Sequence, residues 1–460
     1  MGGSAFGSGP NAPYTPRMAP AVYRQVRGLC HAALRELFVF VATPIEGPEK
    51  RDHGDLDVLV AVEKRVAFPS TPDDVIPRPP HLLIEAIKKA LHADHAIITN
   101  TSANLAIPWP EHLSHHDQTD GKAYGPDLHG TEEGKESSRA RHIQVDVRIC
   151  SGLDQLCWGL FKHAHGDIWN LLGSTIRPLG LTVDEDALWI RIPEIEKFDR
   201  KRAKVQLTND PVEVIHFLGL AVEGYWSEPF ASVEELFGYV TTCRLFWVQK
   251  ESGEHGNGNG PSVGVGGREE GREKLKSNDR RRMKGRPIYE RWINKLIPQL
   301  QAEGRFVCPG TALHDLRATV RDEAFDRFLV EGEYRERLRL WRVQKSEEGM
   351  KGLIKEQVPA DLDPPFRGCL VSAMKKVVLE NDQSFGISPP AQLKDSDGVY
   401  NKTAVQDFIM QNWQQLGDLA WANQLEKARQ NMRIKELKEK SRSADGPRAA
   451  AGTRYYIEGI

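Results

Sequence analysis

Long apolar runs are missing from this chain: nowhere in its 460 residues does an uncharged hydrophobic stretch reach the roughly 18 residues a membrane-spanning helix needs. No membrane partner is expected. Paired cysteines are missing too. The six present are scattered, with no C-x-x-C pair among them, which argues against a disulfide framework and a cysteine zinc site and points to a reducing compartment. Net charge is nearly absent, at −2, so contact with nucleic acid would have to rest on local basic patches. The first 20 residues, "MGGSAFGSGPNAPYTPRMAP", are small and turn-prone and lack an apolar signal core, so secretion is not expected. Phe6 stands where a myristoylation signal carries Ser or Thr. The expectation is an intracellular protein of the nucleus or cytoplasm. The mitochondrion stays open, because Arg17, Arg24, Arg27 and Arg35 face only Glu36 before position 40.

What is present has the balance of a globular protein, 40% hydrophobic and 27% charged, with length for two or three cores. Residues 20–37 put Val22, Val26, Leu29, Ala33 and Leu37 at helical spacing. A β-prone "FVFVAT", a turn-rich loop and the strand of "RDHGDLDVLVAV" follow. "PPHLLIEAIKKAL" reads as a helix, "HAIITNTSANLAI" as one strand, and about 109–141 as a polar insertion. His112, His115, His116 and His129 fall in that insertion without a ligand pattern that supports a metal site. "RHIQVDVRIC" alternates, with Ile143, Val145, Val147 and Ile149 on one face and His142, Gln144, Asp146 and Arg148 on the other. Asp210 with Pro211 and Glu213, and Ser232 with Glu235, are helix-start signals.

The expected organisation is a flexible 1–20, a mixed α/β unit over 21–208, a helical extension over 209–250, a Gly-rich then basic linker over 251–286, a helical C-terminal domain over 287–441, and a flexible tail over 442–460. In that C-terminal domain, "PIYERWINKLIPQL" places Ile288, Trp292, Leu296 and Leu300 on one face, and Val405, Phe408, Ile409, Trp413 and Leu416 read as core.

Two aspartates open the strand of "RDHGDLDVLVAV". Residues at i and i+2 share a face, so Asp55 and Asp57 point the same way. Like charges held together are unfavourable unless a cation sits between them. A second strand supplies Asp146 on its polar side. Three carboxylates brought together by neighbouring strands suit Mg²⁺ (or Mn²⁺), whose remaining ligands are waters and phosphate oxygens. Two such ions would activate an attacking hydroxyl and steady a departing pyrophosphate, the chemistry of nucleotidyl transfer.

Over about residues 22–200 the chain resembles the DNA polymerase X family. "VATPIEGPEKRDHGDLDVLV" is similar to that family's Gly-Ser loop and Asp-x-Asp strand, "QVDVRI" to its third-aspartate strand, and "GDIWNLLGSTIRPLGLTVDEDALWIRI" to its nucleotide-contacting helix and hairpin. The resemblance implies an α/β (α+β) nucleotidyltransferase palm with a mixed β-sheet, followed by a mainly α-helical region. It implies that Asp55 and Asp57 bind both metals, that Asp146 binds the catalytic metal and serves the attacking 3'-hydroxyl, and that Gly54 offers its N–H to the triphosphate. Asp167 and Asn170 match positions beside the incoming nucleotide, and Arg148 an arginine that pairs with a catalytic carboxylate when the site is empty. The implied substrates are a nucleoside triphosphate and a nucleic-acid primer or other 3'-hydroxyl acceptor.

Departures are visible. The Gly-Ser pair is Ala42-Thr43, which keeps the Thr43 hydroxyl for a phosphate and loses the glycine. The family's phosphate-binding arginine has no clear counterpart, a place Lys50 or Arg51 would fill. Lys162 and His163 replace the aromatic sugar-sensing positions, so choice between ribose and deoxyribose does not carry over. His163 and His165 lie near the nucleotide helix, with a structural role the simpler reading. A transfer-RNA end, a small molecule or a protein hydroxyl stays open as acceptor, and so does a palm that binds nucleotide or nucleic acid without turning it over.

Overall fold

The computed structural model describes residues 3–7, 12–113, 140–248, 286–307 and 313–444. The Gly-rich segment, the basic run after it up to residue 285 and most of the polar insertion, with His115, His116 and His129, lie outside the described residues. The chain forms two compact units, Met1–Glu331 and Gly332–Ile460. Among the described residues no helix is long and apolar enough to cross a membrane.

A five-stranded mixed sheet organises the first unit. Its strands β1 (Phe38–Ala42), β2 (Leu56–Glu63), β3 (His95–Thr99), β4 (Ser102–Pro108) and β5 (His142–Cys150) lie in the order β1-β2-β5-β4-β3. Only β2 and β5 run parallel. Alternation decides the faces. Val58, Val60, Val145, Val147 and Leu105 join α1 (Pro20–Arg35) and the helix Pro80–Ala90 in one buried core. Leu59, Ala61 and Cys150 turn the other way and pack on Leu156 of the helix Leu153–His163. That helix comes close because Gly159 has no side chain: a Cβ there would stand 2.4 Å from Leu59 Cδ2. The apolar cover contributed by its Leu156 reaches Leu59 and Ala61 but not Asp57, which stays open to solvent at the start of β2.

A second, antiparallel sheet of β6 (Leu181–Val183), β7 (Leu188–Arg191) and β8 (Lys204–Thr208) follows. Both helix starts form as the sequence predicts. Asp210 accepts from the Val212 N–H with a proline opening the helix, and Ser232 accepts from the Glu235 N–H. Glu213 departs from the capping box and accepts instead from Thr208 Oγ1 at 2.6 Å.

Several expectations need correction. The buried stripe of α1 is Val22, Tyr23, Val26, Cys30 and Leu34, while Leu29 is 52% exposed. Tyr23 turns inward to stack on the His53 ring, centroids 3.7 Å apart. "HAIITNTSANLAI" is a hairpin of two strands, β3 and β4, because Asn100 and Thr101 turn the chain. The segment before residue 20 is tied down: Met18 is fully buried and exchanges two backbone hydrogen bonds with His53, and the His142 N–H donates to Tyr14 O. Residues 287–331 belong to the first unit, where Trp292 packs on Phe237 and Phe246. Over 287–300 the buried positions are Tyr289, Trp292, Ile297 and Leu300. A π-helical turn over Trp292–Leu296, just before Pro298, which has no N–H to give, shifts the face from the expected 3.6 spacing.

The second unit is helical. Glu331–Gln357, Pro364–Glu380 and Lys402–Ala444 bury Ile354, Leu370, Met374, Val377, Val405, Phe408, Ile409 and Leu416 together, with Trp413 packed against them.

Candidate active site

Parallel pairing of β2 and β5 sets Asp57 directly beside Asp146 in register, on neighbouring strands about 4.8 Å apart. Asp55 precedes Asp57 by two residues and shares its face. On the other side of β5, Asn104 of β4 is in register with Asp146. All of these project from the sheet face whose far end carries Leu59, Ala61 and Cys150.

The environment of each carboxylate is distinct. Gln144 Nε2 donates to both Asp146 oxygens, at 2.9 and 3.1 Å. Burial pushes Asp146 up to about 6, the charges of Asp55 and Asp57 add to the rise, and hydrogen bonds from Asn104 and Gln144 oppose it. Asp57 opens onto a cleft, and its pKa is raised by desolvation from the protein packed around it first and by the Asp55 charge second. Asp55 Oδ2 accepts from the Gly3 N–H at 2.8 Å, and the Ala5 N–H donates to Gln144 Oε1 at 3.1 Å. Residues 3–5 thus lie across the carboxylates. Gly3, at φ +85°, is the residue type this crossing requires, because a Cβ there would meet Gly54 O at 2.2 Å.

Among the described residues no group of three or more His, Cys, Asp or Glu side chains stands ready to hold a metal ion. What the strands supply is a crowded pair of hard oxygen donors with a third acid two residues away. Their mutual repulsion is of the kind a divalent cation such as Mg²⁺ or Mn²⁺ relieves, so the donor chemistry fits such an ion, with Asp57 and Asp146 as its core.

From these acids a cleft of about 250 Å³ runs past Asn104 to Arg148, His163 and Glu185. Here the sequence reading is corrected. Arg148 pairs with Glu185 at 3.3 Å rather than with an aspartate of the site, since Asp146 already has its amide donors. Glu185, in the turn between β6 and β7, also meets His163 Nε2 at 3.2 Å and Lys162 Nζ at 3.9 Å. The His163 hydrogen bond, helped by the charges of His163, Lys162 and Arg148 and opposed by partial burial, holds Glu185 down at about 2.

The remaining expected residues lie elsewhere. Thr43 Oγ1 is 2.8 Å from His31 Nε2. Gly54 is buried beneath Gly3. Lys50 and Arg51 are exposed, with the Lys50 charge acting to lower the pKa of Asp57. Asp167, at the start of the helix Ile168–Ile176, pairs with Arg286 at 2.6 Å and accepts from Asn170 Nδ2 at 3.1 Å. Neither Asp167 nor Asn170 lines the cleft. His165 is fully buried, with Nε2 2.7 Å from Tyr225 O, a structural role. His112 is exposed. Sequence reasoning missed Asn104, Glu185 and Gly3. Gln144 was legible, being two residues before Asp146 on the same polar face. Compared with known proteins, the chain matches no family model and no curated sequence.

Proposed function

We propose that this chain is a metal-dependent nucleotidyltransferase with a palm of the polymerase X type. It would move a nucleoside monophosphate from an NTP or dNTP to a 3'-hydroxyl acceptor, a nucleic-acid primer first among the candidates, and release pyrophosphate. One observation carries the reading: Asp57 and Asp146 are register partners on parallel strands, with Asp55 on the same face. Two bound Mg²⁺ or Mn²⁺ ions would supply the positive charge that makes the attacking hydroxyl acidic and the pyrophosphate a stable leaving group. Asp55 and Asp57 would hold both ions, and Asp146 would hold the one at the attacking hydroxyl. Asp146 would orient the hydroxyl and take its proton at a carboxylate oxygen, while Gln144 fixes the carboxylate's plane by donating to both oxygens. The family resemblance assigns the Thr43 hydroxyl, the Gly54 N–H, Lys50 and Arg51 to the triphosphate and Asp167 and Asn170 to the nucleoside side; binding there would require Thr43 to leave His31 and Asp167 to leave Arg286.

The test is extension of labelled DNA and RNA primers, with and without template, using each NTP and dNTP with Mg²⁺ or Mn²⁺. Wild type is expected to extend, and Asp146→Ala to lose at least about a hundredfold in rate. The Gly3 amide on Asp55 and the Ala42-Thr43 loop favour a second reading, a palm that binds nucleotide without turning it over. No product under any condition, from folded protein that still binds triphosphate, would select that second reading or a non-polymeric acceptor.

A further inference from the structure

We propose that the acceptor ends in a ribose and that Gln144 selects it, its Oε1 taking the 2'-hydroxyl while Asp146 takes the neighbouring 3'-hydroxyl. The inference rests on the nucleotidyltransferase reading and narrows its acceptor to an RNA end. It concerns the last sugar of the acceptor, not that of the incoming nucleotide.

Chemistry fixes which way the Gln144 amide points. Its Nε2 donates to both Asp146 oxygens, at 2.9 and 3.1 Å. Turning the amide over would set its oxygen against a carboxylate with no proton between them. Oε1 therefore faces away from Asp146, where it accepts from the Ala5 N–H at 3.1 Å. Gln144 is only 2% exposed, and an acceptor so deeply buried costs free energy whenever it lacks a donor.

The donor that fills Oε1 is not part of the sheet. Ala5 belongs to the segment that crosses the carboxylates, where the Gly3 N–H donates to Asp55 at 2.8 Å. A cation at Asp55 competes with that contact, and an acceptor end brought to Asp146 takes the place of residues 3–5. Oε1 then loses the Ala5 N–H and needs a donor from the ligand.

A 3'-terminal ribose is matched to this pair of groups. Gln144 and Asp146 lie two residues apart on β5, on one face, and offer neighbouring oxygens to neighbouring hydroxyls. The 3'-oxygen bonds to the α-phosphorus as the bond from phosphorus to pyrophosphate breaks, and its proton passes to Asp146. The 2'-hydroxyl keeps its proton and donates it to Oε1. A deoxyribose end would set carbon-bound hydrogens against that oxygen, and a site built to bond a hydroxyl rejects the analogue that lacks it.

The experiment uses the full chain, Mg²⁺ and 5'-labelled RNA oligonucleotides identical but for the last sugar: ribose, 2'-deoxyribose, or the 2'-fluoro sugar, which keeps the ribose pucker and donates no hydrogen bond. Binding is followed by fluorescence anisotropy without nucleoside triphosphate, so that nothing turns over, and extension is followed with each NTP and dNTP. Wild type is expected to bind the ribose end more tightly and to extend it at least about tenfold faster than either analogue, and in Gln144→Met, which keeps the length of the side chain without its amide, that ratio is expected to fall to within about twofold. A ratio between ends is unaffected by a general loss of rate in the variant, and should Gln144→Met not fold, the wild-type comparison of ribose with the 2'-fluoro end decides alone. Ribose and 2'-fluoro ends used alike would assign any preference to pucker and overturn the inference, as would equal use of all three ends; either result leaves nucleotidyl transfer standing. A preference that survives Gln144→Met overturns the part given to Gln144. Folded wild type that extends no end under any condition overturns the nucleotidyltransferase reading, and this inference with it.

Discussion

Asp146 costs the cation-free fold stability. Its pKa near 6 in the folded protein, against an ordinary 3.8, means the folded state holds the proton more tightly than the unfolded chain. Below the ordinary value both states are protonated and no penalty exists. As pH rises through 4 to 6 the unfolded chain ionises first and stability is lost, and above about 6 the loss is complete. Asp57 shifts in the same direction. In EDTA the protein is therefore expected to gain Tm when Asp146 is replaced by Asn at pH 7.5, by a few degrees, while primer extension disappears. Mg²⁺ is expected to raise Tm at pH 7.5 more than at pH 5. Calorimetry at the two pH values checks both, and a Tm of Asp146→Asn below wild type at pH 7.5 would show that the acid is stabilising after all. Gly3 offers a second test. Its amide on Asp55 competes with any cation for that carboxylate, and a charge-assisted bond of about 1.5 kcal/mol corresponds to about tenfold in affinity. Gly3→Ala cannot keep the crossing, since its Cβ would meet Gly54 O, and is expected to lower the Kd for Mn²⁺ by that factor in titration calorimetry. An unchanged Kd would mean that residues 3–5 give way freely.

At the scale of elements, the open sheet face depends on how the helix Leu153–His163 lies across it. Gly159→Val would drive a side chain into Leu59, an overpacking that costs about 1–3 kcal/mol. Leu59→Ala in the same chain is expected to return part of that loss, a coupling that thermal melts of the single and double variants measure; simple additivity would mean the helix does not press on Leu59. The elements also show what sequence could and could not reveal. The strands bearing Asp57 and Asp146 were legible because one face of each is wholly apolar, so their period of two is clean. The β3–β4 hairpin was not, because its turn consists of ordinary polar residues within a β-prone run and lacks Gly or Pro. The stripe of α1 was misread because Tyr23 was not counted as apolar, although its ring packs on His53. Glu185 could not be foreseen. It belongs to a turn of a different sheet from Arg148, and no local pattern reports that a turn meets a strand and a helix end across a cleft. Gly3 was hidden for a related reason: a segment without periodicity says nothing of where it docks.

At the scale of the whole molecule, the second unit has its own core, built around Ile354, Met374, Val377 and Ile409. Residues 332–460 expressed alone are expected to melt in one cooperative transition; a featureless melt would show that this core needs the first unit. The basic look of "YRERLRLWRVQK" is largely cancelled within its own helix, where Arg337 pairs with Glu333, Arg339 with Glu336 and Lys345 with Glu348. Exposed pairs of this kind contribute little to stability, but they reduce the local positive field available to a polyanion.

The parallel pairing of β2 and β5 has a consequence for a chain still on the ribosome. Parallel neighbours cannot be joined by a tight turn, and here β3 and β4 are made between them. A nascent chain that has emerged only as far as β4 carries Asp55 and Asp57 without Asp146, and so without the crowding that invites a cation. Metal affinity would arise when β5 slots between β2 and β4, which makes a bound ion a reporter that synthesis has passed that strand and that the sheet has closed around it.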